Sequence, residues 1–165
     1  MKEIIFFTDG STLNNQSKKH RKGGIGVFFG DNDPRNISEI LNNATNQVTE
    51  LTACIKGIEK LISTQFVIGK QVVIYTDSMY IVNMMSSWAT TWSKNDWKKS
   101  DGKTVKNLDL VKRLFYLSKN IGIIFRHVRS HQKEPPKDSE KYFTWYGNDQ
   151  ADKLATGCQP NSHPI

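Results

Sequence analysis

Cysteine is nearly absent from this chain: two residues in 165, Cys54 and Cys158, far apart and in no metal-ligand spacing. There is no basis for a disulfide framework, so a reduced, intracellular setting is expected, cytoplasmic by default. Long apolar runs are also missing. None approaches the ~18–20 residues of a membrane span, and the opening MKEIIFFTDG reaches Asp9 too soon for a secretory signal. No membrane partner is expected. Internal repeats, low-complexity tracts and proline-rich linkers are absent, which leaves a single domain, 1–158, with a short tail, 159–165, acting as a monomer. No Walker loop, GxGxxG or GxSxG occurs, and nucleotide hydrolysis and acyl transfer lose their usual support.

Acids are outnumbered by bases, giving a net charge of +7. The excess favours a polyanionic partner, nucleic acid before membrane. It lies in three clusters: Lys18–Lys22, the stretch 88–106, and Arg126–Lys133. A charge cluster alone is ordinarily a solvated face. The middle one interleaves Trp88, Trp92 and Trp97 with Lys94, Lys98, Lys99, Lys103 and Lys106, pairing rings on which bases and sugars pack with ammonium groups that track phosphates.

Periodicity places strands near 3–8, 23–30, 36–43, 71–75 and 121–128, and helices over 48–63, from Ser78, over 107–117 and over 147–155, the last capped by Asn148. Residues 88–106 read as an irregular insert and 132–146 as a long polar loop. Three strands followed by alternation with helices predict an α/β fold, with a mixed five-stranded sheet and helices on both faces.

Two apolar strands run into Thr-Asp, at Asp9 and at Asp77. As parallel neighbours they would deliver both carboxylates to the carboxyl edge of the sheet. A hairpin turn at Asp9-Gly10 fails on spacing, since the next strand begins near 23; a helix cap at Asp77 remains a sound alternative. Glu50 sits at the margin of an apolar helix stripe, and Asp149 and Asp152 lie on a helix whose alanines permit close approach. Carboxylates gathered there need a cation, and oxygen-only ligands select Mg²⁺ or Mn²⁺. His127 and His131 are spaced as zinc ligands would be on a helix, but they fall at a strand end and beyond it. His131 reads either as a loop general acid/base or as an ordinary exposed histidine.

FTDGST, NATNQVTELTACIKGIE, YTDSMYIV and RSHQ…GNDQADKLA, in this order over residues 3–157, resemble ribonuclease H of the type-1 kind. The stretch 88–106 is similar to the basic protrusion of the cellular enzymes. The resemblance implies the ribonuclease H-like fold and hydrolysis of the RNA strand of RNA–DNA hybrids, leaving 5′-phosphate and 3′-hydroxyl ends. It implies two Mg²⁺ ions, with Mn²⁺ as the alternative, on Asp9, Glu50, Asp77 and Asp152, and a proton-transfer or product-release role for His131. Asp152 rather than Asp149 is the match because it directly precedes KLA. Asn15, Asn46 and Gln47 match residues that read the RNA strand, Thr45 and Asn107 a DNA-phosphate pocket, and Tyr80 and Trp88 an aromatic wall. Trp92, Trp97, Lys98, Lys99 and Ser100 belong to the protrusion. Asn43 stands where the vertebrate-like enzymes carry an arginine, which bears on the strength of the phosphate pocket. The loop KEPPKDSEKYFTWY is longer than usual, which bears on where His131 sits. No N-terminal hybrid-binding module is expected, and the protrusion is the expected main anchor. The rival readings are a strand transferase of the integrase type and a hybrid-binding protein without catalysis.

Overall fold

The computed structural model describes residues 2–13 and 21–157. Its elements are β1 (Glu3–Leu13), β2 (Lys22–Phe28), β3 (Ile37–Asn42), α1 (Asn46–Thr64), β4 (Gln71–Thr76), α2 (Met79–Asn83), a π-helical turn (Met84–Trp88), α3 (Ala89–Lys94), α4 (Leu108–Ile121), β5 (Ile123–His127) and α5 (Tyr142–Gly157). The five strands form one sheet in the order β3-β2-β1-β4-β5. β1, β2 and β3 pair antiparallel, while β4 is parallel to both β1 and β5. The mixed sheet is the one expected from sequence.

β1 is apolar at successive positions because it is covered on both sides. Phe6 joins Leu51, Ile58, Ile74 and Leu114 in the main core, with α1 and α4 on that face. Phe7 points the other way, into a smaller cluster with Phe28 and Ala151 under α5. Here Gly26 matters: a Cβ on it would lie 2.6 Å from the Ala155 backbone nitrogen, so only glycine lets α5 lie this close to β2. That approach carries Asp152 to the edge where Asp9 lies.

Three expectations are corrected. β1 does not stop before Asp9; it pairs with β2 as far as Leu13↔Lys22, while its parallel ladder with β4 ends at Thr8↔Thr76. Asp9 therefore lies inside a strand on one side and just past the ladder's end on the other. The last helix starts at Tyr142 rather than Gly147, so Asn148 is buried within it and caps nothing. The reason is aromatic spacing: Tyr142 meets Trp145 and Tyr146 with ring centroids 5.7 and 5.8 Å apart, a stripe at i, i+3 and i+4. Finally, the insert begins as helix, because α2, the π-helical turn and α3 run on through Lys94.

Candidate active site and nucleic-acid interface

Asp9 and Asp77 follow Thr8 and Thr76, the last parallel pair of β1 and β4, and so share one edge. Ser78, not Asp77, caps α2, its hydroxyl accepting from the Ile81 N–H at 3.2 Å. Asp77 is thereby left to face the site. Glu50 comes in from α1. Its approach depends on Gly10, whose Cβ would collide with Thr49 and sit 2.6 Å from the Glu50 nitrogen. The glycine serves strand–helix contact.

One carboxylate oxygen from each of Asp9, Glu50 and Asp77 lies within 4.8 Å of the others. Burial raises Asp9 well above the usual carboxylate range, and the charges of Glu50 and Asp77 push the same way. Glu50 is lifted to about 8, chiefly by burial and then by Asp77. Asp77 rises through burial and the neighbouring Asp152, with His131 and His127 pulling it back. Asp152 sits beside the trio, close enough to push Asp9 up further. Glu50 Oε2 is buried with no hydrogen-bond partner. An acceptor-only oxygen among like charges is what a hard divalent cation satisfies, so these residues fit the metal that the carboxylate pattern implies.

Asp77, His131, Asn148, Asp149 and Asp152 line one small cavity. His131 is exposed on its loop, in a left-handed conformation (φ 54°). Within this cavity the two helix acids differ: Asp149 is paired with Lys153 at 2.9 Å, whereas Asp152 turns to Asp9. Neither His127 nor His131 joins a three-ligand metal group among the described residues.

The substrate-contact candidates come from the start of α1, the start of α4 and the segment from α2 into the insert. Thr45 caps α1, its hydroxyl accepting from the Val48 N–H at 3.3 Å. Asn43 is exposed and left-handed just before it. Asn46 and Gln47 open the first turn of α1, and Asn107 precedes α4, its Nδ2 buried without an acceptor. Trp88 is 41% exposed beside Tyr80 (6.3 Å) and Trp92 (6.1 Å). Lys98 and Ser100 are exposed and Lys99 half-buried. Asn15 lies outside the described residues, as does Cys158.

Trp97 is a correction. It is 7% exposed and packs edge-on against Phe115 at 5.4 Å, so it cannot serve as a stacking face. Alternation of tryptophan and lysine could not reveal that this ring points inward. Sequence reading also passed over Trp145, which lines the cavity and donates its Nε1–H to the Gln132 carbonyl at 2.9 Å. Its helical spacing from Tyr142 was the available signal.

A sequence model of the RNase H family matches residues 1–159. The chain is 37% identical over 153 residues to a Ribonuclease H of Schizosaccharomyces pombe, covering 92% of this chain and 51% of the relative. It thus spans about half the length of that protein and likewise of the human, mouse and rat Ribonuclease H1. With a Ribonuclease H of Ruthia magnifica it shares 33% identity over 94% of both chains. The solution structure of the foamy virus RNase H domain superposes with a TM-score of 0.71 at 25% identity, covering 93% of this chain and 92% of that one.

Proposed function

The chain belongs to the RNase H family, and from that premise we propose that it hydrolyses the RNA strand of RNA–DNA hybrids, leaving 5′-phosphate and 3′-hydroxyl ends. The observation that carries the reading is the trio of carboxylates at the sheet edge, Asp9 buried and the other two partly so, with Glu50 Oε2 unpaired among them. Asp9, Glu50, Asp77 and Asp152 would hold two divalent ions, Mg²⁺ before Mn²⁺, which supply Lewis-acid activation of water and of the leaving oxygen.

The chain's own residues do the rest. The rigid, doubly covered β1 fixes Asp9 at the centre of the acids. His131 lines the same cavity as Asp152, which supports a role for it in moving a proton at the leaving 3′ oxygen. The unused Nδ2 of Asn107 is a donor for a backbone phosphate of the DNA strand, and Thr45, whose oxygen already accepts from Val48, still has its hydroxyl proton to give. Asn46 and Gln47, with Asn15, are positioned in sequence to read 2′-hydroxyls on the RNA strand. Trp88 and Tyr80 form the wall for the deoxyribose strand, and Lys98, Lys99 and Ser100 hold phosphates farther along. The protein acts as a monomer on this substrate.

The test is cleavage of labelled hybrid, double-stranded RNA and double-stranded DNA side by side, with and without Mg²⁺. Hybrid alone should be cut, only with the metal, and the Asp9→Asn variant should bind hybrid but not cut it. Undiminished cleavage by that variant would sink the assignment.

A further inference from the structure

The loop after β5 remains unexplained by the proposed function. Residues 132–141, QKEPPKDSEK, carry as many acids as bases, yet the structure sorts them. A cleft of about 380 Å³ between this loop, the end of β5 and the start of α5 is lined by His127, Arg129, Lys133, Lys141, Thr144 and Trp145. None of the loop's acids, Glu134, Asp138 or Glu140, is among its walls; the charge of Glu134 acts instead on Lys153 of α5. Arg129, Lys133 and Lys141 are exposed and form no ion pair among the described residues. Gln132 and Trp145 wall this cleft and also the cavity holding Asp77, His131 and Asp152. The Trp145 indole, tied to Gln132, is the partition between the two.

We propose that this basic cleft is a second nucleic-acid contact, gripping a backbone phosphate of the substrate as it leaves the carboxylate site on the side of the His131 loop. Arg129 offers a planar fork and the two lysines point charges, with the Thr144 hydroxyl and the indole forming the remaining walls. The assignment rests on the hybrid-cleaving reading for its ligand. It differs in place from the insert 88–106, the other basic anchor.

The experiment is metal-free titration of a labelled RNA–DNA hybrid over a salt series, comparing wild type with the triple variant Arg129→Gln/Lys133→Gln/Lys141→Gln. A control removes three exposed charges elsewhere, Lys60→Gln/Lys70→Gln/Lys119→Gln. The cleft variant should bind about tenfold more weakly near physiological salt, and its log–log salt slope should fall by about one, as for the loss of one phosphate contact. The control should keep nearly the wild-type slope. Hybrids trimmed from either end relative to one fixed cleavage position locate the contact: trimming on one side only should erase the difference between variant and wild type. A hybrid with hydroxyl in place of phosphate ends distinguishes an internal phosphodiester, for which nothing changes, from a terminal phosphate, for which affinity falls. An internal contact is the expected result, and dependence on the terminal phosphate overturns it. Equal slope loss in the control, or none in the cleft variant, also overturns the proposal. Wild-type cleavage of the same hybrid in Mg²⁺ is scored separately, so a failure of the function reading is seen apart from a failure of the cleft.

Discussion

The carboxylate edge and the insert 88–106 are built in opposite ways. The edge gathers Asp9, Glu50, Asp77 and Asp152 from two strands and two helices, and only the folded sheet brings them together. The insert is one continuous run, closed on itself by local contacts: the Lys99 N–H donates to the Lys103 carbonyl at 2.9 Å and the Val105 N–H to the Trp97 carbonyl at 3.2 Å. The edge works against stability, since like charges are crowded in a largely buried place and none of them forms an ion pair with a lysine or arginine among the described residues. The insert is anchored by burial of Trp97 and Val105 and leaves its lysines, the half-buried Lys99 excepted, to solvent. On the proposed function, chemistry and substrate grip are therefore separable, and substitutions should sort accordingly.

The largest effect should come from the edge. Asp152→Asn removes a carboxylate that acts electrostatically on Asp9 and should lower Mg²⁺-dependent hybrid cleavage about a thousandfold, the scale of losing one transition-state electrostatic contact. Asp149→Asn breaks only a partly exposed pair with Lys153 and should change the rate by about twofold at most. Steady-state rates for the two variants decide it; the reverse order would mean that α5 presents the other acid.

The insert offers a comparison inside itself. Trp97→Ala should cost about 3–5 kcal/mol of folding stability in urea, as for a large buried aromatic. Trp88→Ala should leave the urea midpoint nearly unchanged and weaken hybrid binding by about 1–3 kcal/mol, the worth of one stacked base. If Trp88→Ala destabilises the fold as much as Trp97→Ala, the division of this segment into an anchor and a face is wrong.

Why one tryptophan was misread shows where sequence reasoning stops. The sheet, its strand order of appearance and the carboxylate edge follow from apolar runs ending in Thr-Asp and from helix periodicity, which are local signals with a direct physical meaning. The orientation of Trp97 depends on backbone at positive φ, at both Asp96 and Trp97, which neither residue type announces. The early start of α5 was written in Tyr142, Trp145 and Tyr146, but two prolines and a run of charges before them read as loop. The contact of Gly10 with the backbone of α1 was not legible, because it joins segments 40 residues apart.

The smallest effect per measured step concerns pH, and it tests the claim that the edge works against stability. In the metal-free protein Glu50 ionises near 8 instead of its ordinary 4.5. Below 4.5 it is neutral in both folded and unfolded chains, and the fold keeps its full stability. Between 4.5 and 8 the unfolded chain releases the proton first, so stability falls as pH rises, by about 1.4 kcal/mol per pH unit for one proton. Above 8 both states are ionised and the loss stops growing. Asp9, raised for the same reasons, acts in the same direction. Glu50→Gln cannot ionise, so its metal-free stability should decline less steeply over that window. Mg²⁺ should then raise the melting temperature of wild type at pH 8 more than that of the variant, because binding to the folded state stabilises it only where the ligands are intact. Thermal melts from pH 4 to 9, with EDTA or with Mg²⁺, measure both effects. Parallel metal-free profiles for wild type and Glu50→Gln would show that the buried acids cost the fold nothing, and the contrast between edge and insert would then rest on chemistry alone.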